Sequence, residues 1–104
     1  MTFGFPAYYT EHFETTADID LRDAVRVALK SLFGNIKEET ASTISATTAI
    51  GFRSYGETVT IHFISPQSLS VKSQCAFPTQ CFDWGKNKEN VTRFLATLTM
   101  LSER

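Results

Sequence analysis

The sequence carries no excess of charge of either sign, because ten basic residues face eleven acidic ones and leave a formal net charge of −1. Proteins that bind nucleic acid through its phosphates normally have a clear basic excess, so this balance argues against a general polyanion binder. No apolar run approaches the ~20 residues of a membrane-spanning helix. Met1–Pro6 also lacks the charge and the apolar length of a secretory signal. We therefore expect a soluble, cytoplasmic protein without a nucleic-acid or membrane partner.

Cysteine and histidine are scarce, with two residues of each. Cys75 and Cys81 lie too far apart for the closely paired ligands of a structural zinc site, so the sequence predicts no metal and no cofactor. In a reducing compartment both cysteines are expected to be free thiols, and Cys75 is predicted to be buried on the inner side of a strand. The alternative is a labile disulfide between Cys75 and Cys81. A cysteine nucleophile needs a nearby base, and His62 is predicted to point away from Cys75.

Glycine and proline are also few, at five and three residues, and no linker or repeat divides the chain. Residues 1–104 are therefore predicted to form a single domain. A chain of this length buries roughly two-thirds of the surface that its unfolded form exposes. With 42% hydrophobic residues, it can fold without metal or disulfide cross-links.

The clearest helix is predicted over Leu21–Phe33. Asp18 or Asp20 can accept hydrogen bonds from the first turn, and Gly34 follows the last apolar residue, where the chain must turn in a left-handed conformation. Apolar residues at steps of three and four form one continuous stripe: Leu21, Ala24, Val25, Ala28, Leu29, Leu32 and Phe33. The basic residues off this stripe are predicted to face water: Arg22, Arg26 and Lys30. We expect a core helix that carries no chemistry.

Alternation of apolar and polar residues, together with β-branched residues, predicts strands on both sides of this helix. They lie at about Tyr8–Thr15, Asn35–Thr40 and Thr43–Ala49, with a tight turn between the last two. Adjacent residues of a strand face opposite sides of the sheet. Glu38 and Glu39 therefore cannot act as a carboxylate pair.

The best-patterned segment is a hairpin around Ser65–Ser68, a turn that contains Pro66. Its first strand has Val59, Ile61 and Phe63 on one side. Its second strand has these residues on the inner side: Leu69, Val71, Ser73 and Cys75. The connection is too short for a parallel crossover, so the two strands are predicted to be antiparallel.

A final helix is predicted after Asn87, which can cap it. Its apolar residues repeat at helical spacing: Val91, Phe94, Leu95, Leu98 and Leu101. The element order is then β-α-β-β-β-β-α. Segregated strands of this kind predict an α+β fold, with a single antiparallel sheet of about five strands and both helices packed on one face.

One segment resembles a known pattern. It reads Ser73-x4-Pro78-x-Gln80-x2-Asp83-Trp84-Gly85-Lys86-Asn87-x2-Asn90-Val91 and follows the strand Gly56-Glu-Thr-Val59-Thr-Ile61. Over most of its length the chain is similar to a family of small, uncharacterised bacterial proteins and domains with an Asp-Trp-Gly-Lys-Asn turn before the last helix. The resemblance implies a compact α+β domain and no particular activity, and neither cysteine belongs to the pattern.

The same turn is the first candidate site. Asp83 or Asn87 could hold the turn through backbone N–H groups, while Trp84 covers an edge of the core. Alternatively Lys86, Asn87 and Lys88 could join the helix N-terminus in a pocket for a phosphate or carboxylate. The candidate ligand-binding residues are therefore Asp83, Trp84, Lys86, Asn87 and Lys88.

Apolar patterning without a converging catalytic set favours a non-catalytic binding or interaction module. The ligand would be small and apolar or anionic, or the partner would be a protein. The nine phenylalanines suggest an apolar cleft between the helices and the sheet, lined by Phe33, Phe63, Phe77, Phe82 and Phe94.

Two alternatives come from other functional classes. A homo-oligomer could assemble through the polar face of the sheet, where His12 and His62 are predicted to lie. A small enzyme could use Cys81, His62 or Asp83, which would then have to converge within hydrogen-bond distance.

Overall fold

The computed structural model of the protein describes residues 8–16, 18–34, 36–48, 57–75 and 86–102. Its elements follow the predicted order, and their bounds are β1 (Tyr8–Glu14), α1 (Leu21–Phe33), β2 (Ile36–Glu39), β3 (Thr43–Thr47), β4 (Glu57–Ser65), β5 (Ser68–Cys75) and α2 (Lys86–Ser102). Among the residues described, neither helix is long and apolar enough to span a bilayer.

The strands form one five-stranded sheet in the order β1-β5-β4-β3-β2, with every neighbouring pair antiparallel. Ile61 of β4 lies between Ile44 of β3 and Val71 of β5 in this register. Because side chains alternate between faces along a strand, all three point to the same side of the sheet, and all three are fully buried. The register therefore builds one apolar face and leaves the other face polar.

Both helices cover the apolar face. α2 packs mainly against β1 and β5, and α1 packs against β2 and β3. The buried apolar residues of helices and sheet form one cluster: Leu21, Val25, Ala28, Leu29, Ile44, Ala46, Val59, Ile61, Leu69, Val71, Val91, Phe94 and Leu98. The predicted α+β architecture is thereby confirmed.

The predicted limits of α1 are confirmed by its caps. The Asp20 side chain accepts a hydrogen bond from the backbone N–H of Asp23 (3.1 Å), so Asp20 and not Asp18 is the N-cap. Gly34 has a φ of 93° and its N–H donates to the carbonyl of Lys30 (3.2 Å). A glycine suits this position because a φ of this sign strains any residue that carries a Cβ.

Two details of the predicted helices were wrong. Arg22 and Arg26 do not simply face water, because both are half-buried and pair with Glu39 on β2. Asn87 does not precede α2 as a cap. It is the second residue of the helix, and its fully buried side chain points to the sheet and accepts a hydrogen bond from Ser73.

We expect Phe94→Ala to lower the free energy of unfolding by about 3–5 kcal/mol, because it removes a fully buried ring from the centre of the cluster. Met100→Ala is the control on the same helix, since Met100 is 69% exposed. Its effect should stay within about 0.5 kcal/mol. Urea unfolding followed by circular dichroism measures both, and equal losses would contradict the assignment of the core.

Candidate functional site

Four polar side chains are buried at one end of the apolar face. Glu57 and Ser73 come from β4 and β5, and Asn87 and Asn90 come from the first turns of α2. All four are at most 1% exposed. Glu57 starts β4 and pairs across the sheet with Cys75, the last residue of β5, so this polar cluster lies where both strands and the helix meet the end of the sheet.

Hydrogen bonds join the members of the polar cluster. The Ser73 hydroxyl donates to Oδ1 of Asn87 (2.8 Å) and accepts from Nδ2 of Asn90 (3.2 Å). Nδ2 of Asn90 also donates to Oε1 of Glu57 (2.9 Å). Thr48, just beyond β3, adds a hydroxyl that donates to the same Oε1 (3.0 Å) and accepts from the Glu57 N–H (2.8 Å). The cluster thus connects β3, β4 and β5 to α2.

Within the part of the chain that the structure describes, Oε2 of Glu57 is buried and has no hydrogen-bond partner. Native proteins pair nearly all buried polar atoms, so this oxygen is an exception that needs an explanation.

Of the four cluster residues, the sequence singled out only Asn87 as a site residue. Ser73 was predicted on the inner side of its strand, and Asn90 appeared only as part of the segment from Ser73 to Val91; the fold brings the three together. Glu57 was missed, although a signal was present. It precedes Val59 and Ile61 in the same period-two pattern, which places a carboxylate on the buried face of β4.

Of the other predicted ligand-binding residues, Lys88 is the one whose side chain lies among the described residues. Lys88 is exposed on α2. Asp83, Trp84, Cys81 and the side chain of Lys86 lie outside the described residues. Because Asn87 is buried with its Oδ1 engaged by Ser73, it contributes to the interior, and the anion pocket stays a prediction.

Of the five phenylalanines predicted to line an apolar cleft, the structure describes Phe33, Phe63 and Phe94. Phe94 is fully buried in the core, and Phe33 packs against the core from its edge. Phe77 and Phe82 lie outside the described residues. Phe63, in contrast, does line a cleft, between the N-terminus of α1 and the β4–β5 turn.

This cleft has a volume of about 420 Å³. Its walls come from residues 19–22 and 63–66: Ile19, Asp20, Leu21, Arg22, Phe63, Ile64, Ser65 and Pro66. The register of the β4–β5 pair shifts between Phe63 and Ser65, so Ile64 lies at a β-bulge. A bulge redirects side chains, and Ile64 is 58% exposed beside the cleft.

Arg22 supplies the basic group among the lining residues of the cleft, and its guanidinium already makes hydrogen bonds within the protein. It lies 4.6 Å from the centre of the Phe63 ring. Nη1 donates to Oε2 of Glu39 and to the carbonyl of Thr40, both at 3.0 Å, and Nη2 donates to the carbonyl of Ala41. The guanidinium of Arg22 therefore already has an acidic partner and two carbonyl partners within the protein.

Glu39 holds a second arginine as well. Nε of Arg26 donates to Oε1 of Glu39 at 3.0 Å. This hydrogen bond is the largest cause that lowers the pKa of the Glu39 carboxyl to about 2, and the bond from Arg22 adds to it against an opposing effect of desolvation. The same pairing raises the pKa of Arg26.

The outer face of the sheet holds both histidines. His12 and His62 each pair with Ser70, so they lie in one row with a strand between them. The strand spacing separates their backbones by ~10 Å, too far for joint action on one small group. Within residues 8–16, 18–34, 36–48, 57–75 and 86–102, no group of three His, Cys, Asp or Glu residues could hold a metal ion.

Comparison of the chain with protein-family models and with curated proteins gave no match.

Asn90→Ala should lower the free energy of unfolding by roughly 2–4 kcal/mol, because it removes the donor that Glu57 and Ser73 share in the interior. Thr92→Ala is the control two residues further along α2, at an exposed position. Chemical denaturation of both variants measures the difference. A loss for Asn90→Ala no larger than that for Thr92→Ala would show that the cluster does not stabilise the fold.

The lowered pKa of Glu39 predicts a pH dependence of stability. The folded state holds this carboxylate ionised down to about pH 2, whereas the unfolded chain protonates it near its ordinary pKa of about 4.3. The stabilisation by the Glu39 carboxylate is therefore complete well above the unfolded-state pKa of about 4.3. It is lost as the pH falls from there towards 2. We expect the difference in melting temperature between wild type and Glu39→Gln to be largest at neutral pH and to vanish in acid. Glu38→Gln removes the same charge from the neighbouring residue and should not reproduce this loss.

Proposed function

We propose that the protein is a non-catalytic binding module that holds a small, mainly apolar ligand in the cleft beside Phe63. The observation that carries the proposal is the cleft itself, whose volume of about 420 Å³ lies in the range of small-molecule sites. Most of its walls are apolar: Ile19, Leu21, Phe63, Ile64 and Pro66.

The polar groups of the cleft support binding over catalysis. Arg22 gives its hydrogen bonds to Glu39 and to two backbone carbonyls. Asp20 caps α1. Groups held in this way shape a site and orient a ligand, but they do not supply a poised acid or nucleophile. Glu39 pairs with both Arg22 and Arg26, and Asp20 and Asp23 add two further negative charges near them, so we expect a neutral ligand to bind better than an anionic one.

The exposure of Ile64 supports the same site. A large apolar side chain that is 58% exposed loses contact with water when a ligand covers it, and this burial favours binding. The bulge that sets Ile64 beside Phe63 gives the cleft two apolar walls from consecutive residues of β4.

We also propose that the chain is related to the small bacterial proteins that it resembles and that it acts in the cytoplasm. The convergence of Ser73, Asn87 and Asn90 in one buried cluster supports the first part, because it gives a shared physical role to separated residues of the motif. The charge balance and the sparing use of cysteine support the second part.

A titration with 1-octanol, followed by ¹⁵N–¹H correlation spectra, tests the cleft. We expect saturable shifts confined to residues 19–22 and 63–66, with a Kd on the order of 1 mM for a probe of this size. Octanoate should bind more weakly, since its carboxylate gains no free positive charge.

Ile64→Asp should weaken 1-octanol binding by about tenfold, because it places a charge beside the apolar wall. Val27→Asp is the matched control, since Val27 is 47% exposed on α1 and does not line the cleft. Shifts that are absent, or that spread over the outer face of the sheet, would contradict the proposal.

A further inference from the structure

We propose that the polar cluster of Glu57, Ser73, Asn87 and Asn90 is a second binding site, which takes a small cation at Oε2 of Glu57. The cation would be an ammonium group or an alkali-metal ion. This site is separate from the cleft, and neither proposal depends on the other.

The hydrogen-bond donors of Thr48, Ser73 and Asn90 are all in use. The Thr48 hydroxyl proton goes to Oε1 of Glu57, and the Ser73 proton goes to Asn87. The two protons on Nδ2 of Asn90 serve Glu57 and Ser73. None of these three residues has a donor left for Oε2. A partner for Oε2 must therefore be a group other than these three side chains.

Charge indicates what this partner should be. Glu57 is 1% exposed, and the hydrogen bonds to its side chain come from a hydroxyl and an amide, which are neutral. The ion pairs found among the described residues both involve Glu39, so neither compensates Glu57. A buried carboxylate is costly unless a positive charge accompanies it. A cation satisfies the unpaired oxygen and the charge together.

The surrounding atoms favour a cation over an anion. Oδ1 of Asn87 and the hydroxyl oxygens of Ser73 and Thr48 bring negative partial charge to the same end of the sheet. Carboxylate, amide and hydroxyl oxygens are the usual ligands of hard cations. The carboxyl group of Glu57 already occupies the space beside the first turns of α2, the position at which a helix favours an anion.

Thermal unfolding in matched concentrations of three chloride salts tests the proposal. Methylammonium carries N–H donors, potassium is a bare ion, and tetramethylammonium has the same charge but no donor and a larger radius. We expect a saturable rise of the melting temperature with methylammonium or potassium relative to tetramethylammonium. A cation at ten times its Kd lowers the unfolding equilibrium constant about elevenfold. Stabilisation by methylammonium alone identifies an amine site, and stabilisation by potassium alone identifies an alkali-metal site.

Glu57→Gln should abolish the difference between the salts, because it removes the charge and keeps the shape of the side chain. Glu11→Gln on β1 is the matched control at an exposed position and should retain the difference. A second measurement uses the wild-type protein, so that it does not depend on whether Glu57→Gln folds. The Glu57 side-chain carboxyl ¹³C resonance should shift with the stabilising salt, while that of Glu11 stays constant. Equal melting temperatures in all three salts, an unmoved Glu57 resonance, or a difference that persists in Glu57→Gln would overturn the proposal.

Discussion

Alternation along β4 and β5 determines where the polar and apolar groups of this protein are placed. Val59, Ile61 and Val71 are drawn under the helices by the same period of two that turns His62 and Lys72 towards water. The alternation of side chains continues beyond the apolar residues of β4 and β5. It carries Glu57 and Ser73 to the covered face as well, so the fold must provide partners for polar atoms in its interior.

α2 provides those partners, and this explains its sequence. Asn87 and Asn90 are three residues apart, a spacing that places both on one side of a helix. Further along, Val91, Phe94 and Leu98 continue the buried side with apolar residues. The helix therefore changes from polar to apolar along one face and matches the sheet beneath it. Such a match fixes the position of the helix along the sheet, because sliding it by one turn (~5.4 Å) towards the apolar run would place amide groups against Val71.

The sequence was sufficient to predict the element order, the sheet with its covered face and the limits of α1. These features depend on local periodicity and on caps such as Asp20 and Gly34, which act within a few residues. It was insufficient for Asn87, which was taken for a cap. Asparagine can serve either as a helix N-cap or as a buried hydrogen-bonding residue. Only the contact of Asn87 with Ser73 distinguishes the two roles. The pairing of Arg22 with Glu39 was missed for a similar reason, since it joins residues far apart in the chain.

The cleft and the polar cluster illustrate the same limit. Ile64 lines the cleft because a bulge interrupts the register of β4, and a period-two pattern does not reveal a bulge. Glu57 was visible in the pattern, but its unpaired oxygen was not, because satisfaction of a buried atom depends on the geometry of several elements at once.

The position of β1 in the sheet has a consequence for synthesis on the ribosome. Its neighbour is β5, so β1 emerges long before the strand with which it pairs, and its backbone groups stay unsatisfied in the meantime. The hairpin of β4 and β5 can close by itself, whereas β1 must return across the whole intervening chain, which slows folding. α2, which packs on both β1 and β5, follows both strands in the chain and covers them. Nascent chains that lack α2 thus leave the apolar side of β1 and β5 uncovered by that helix.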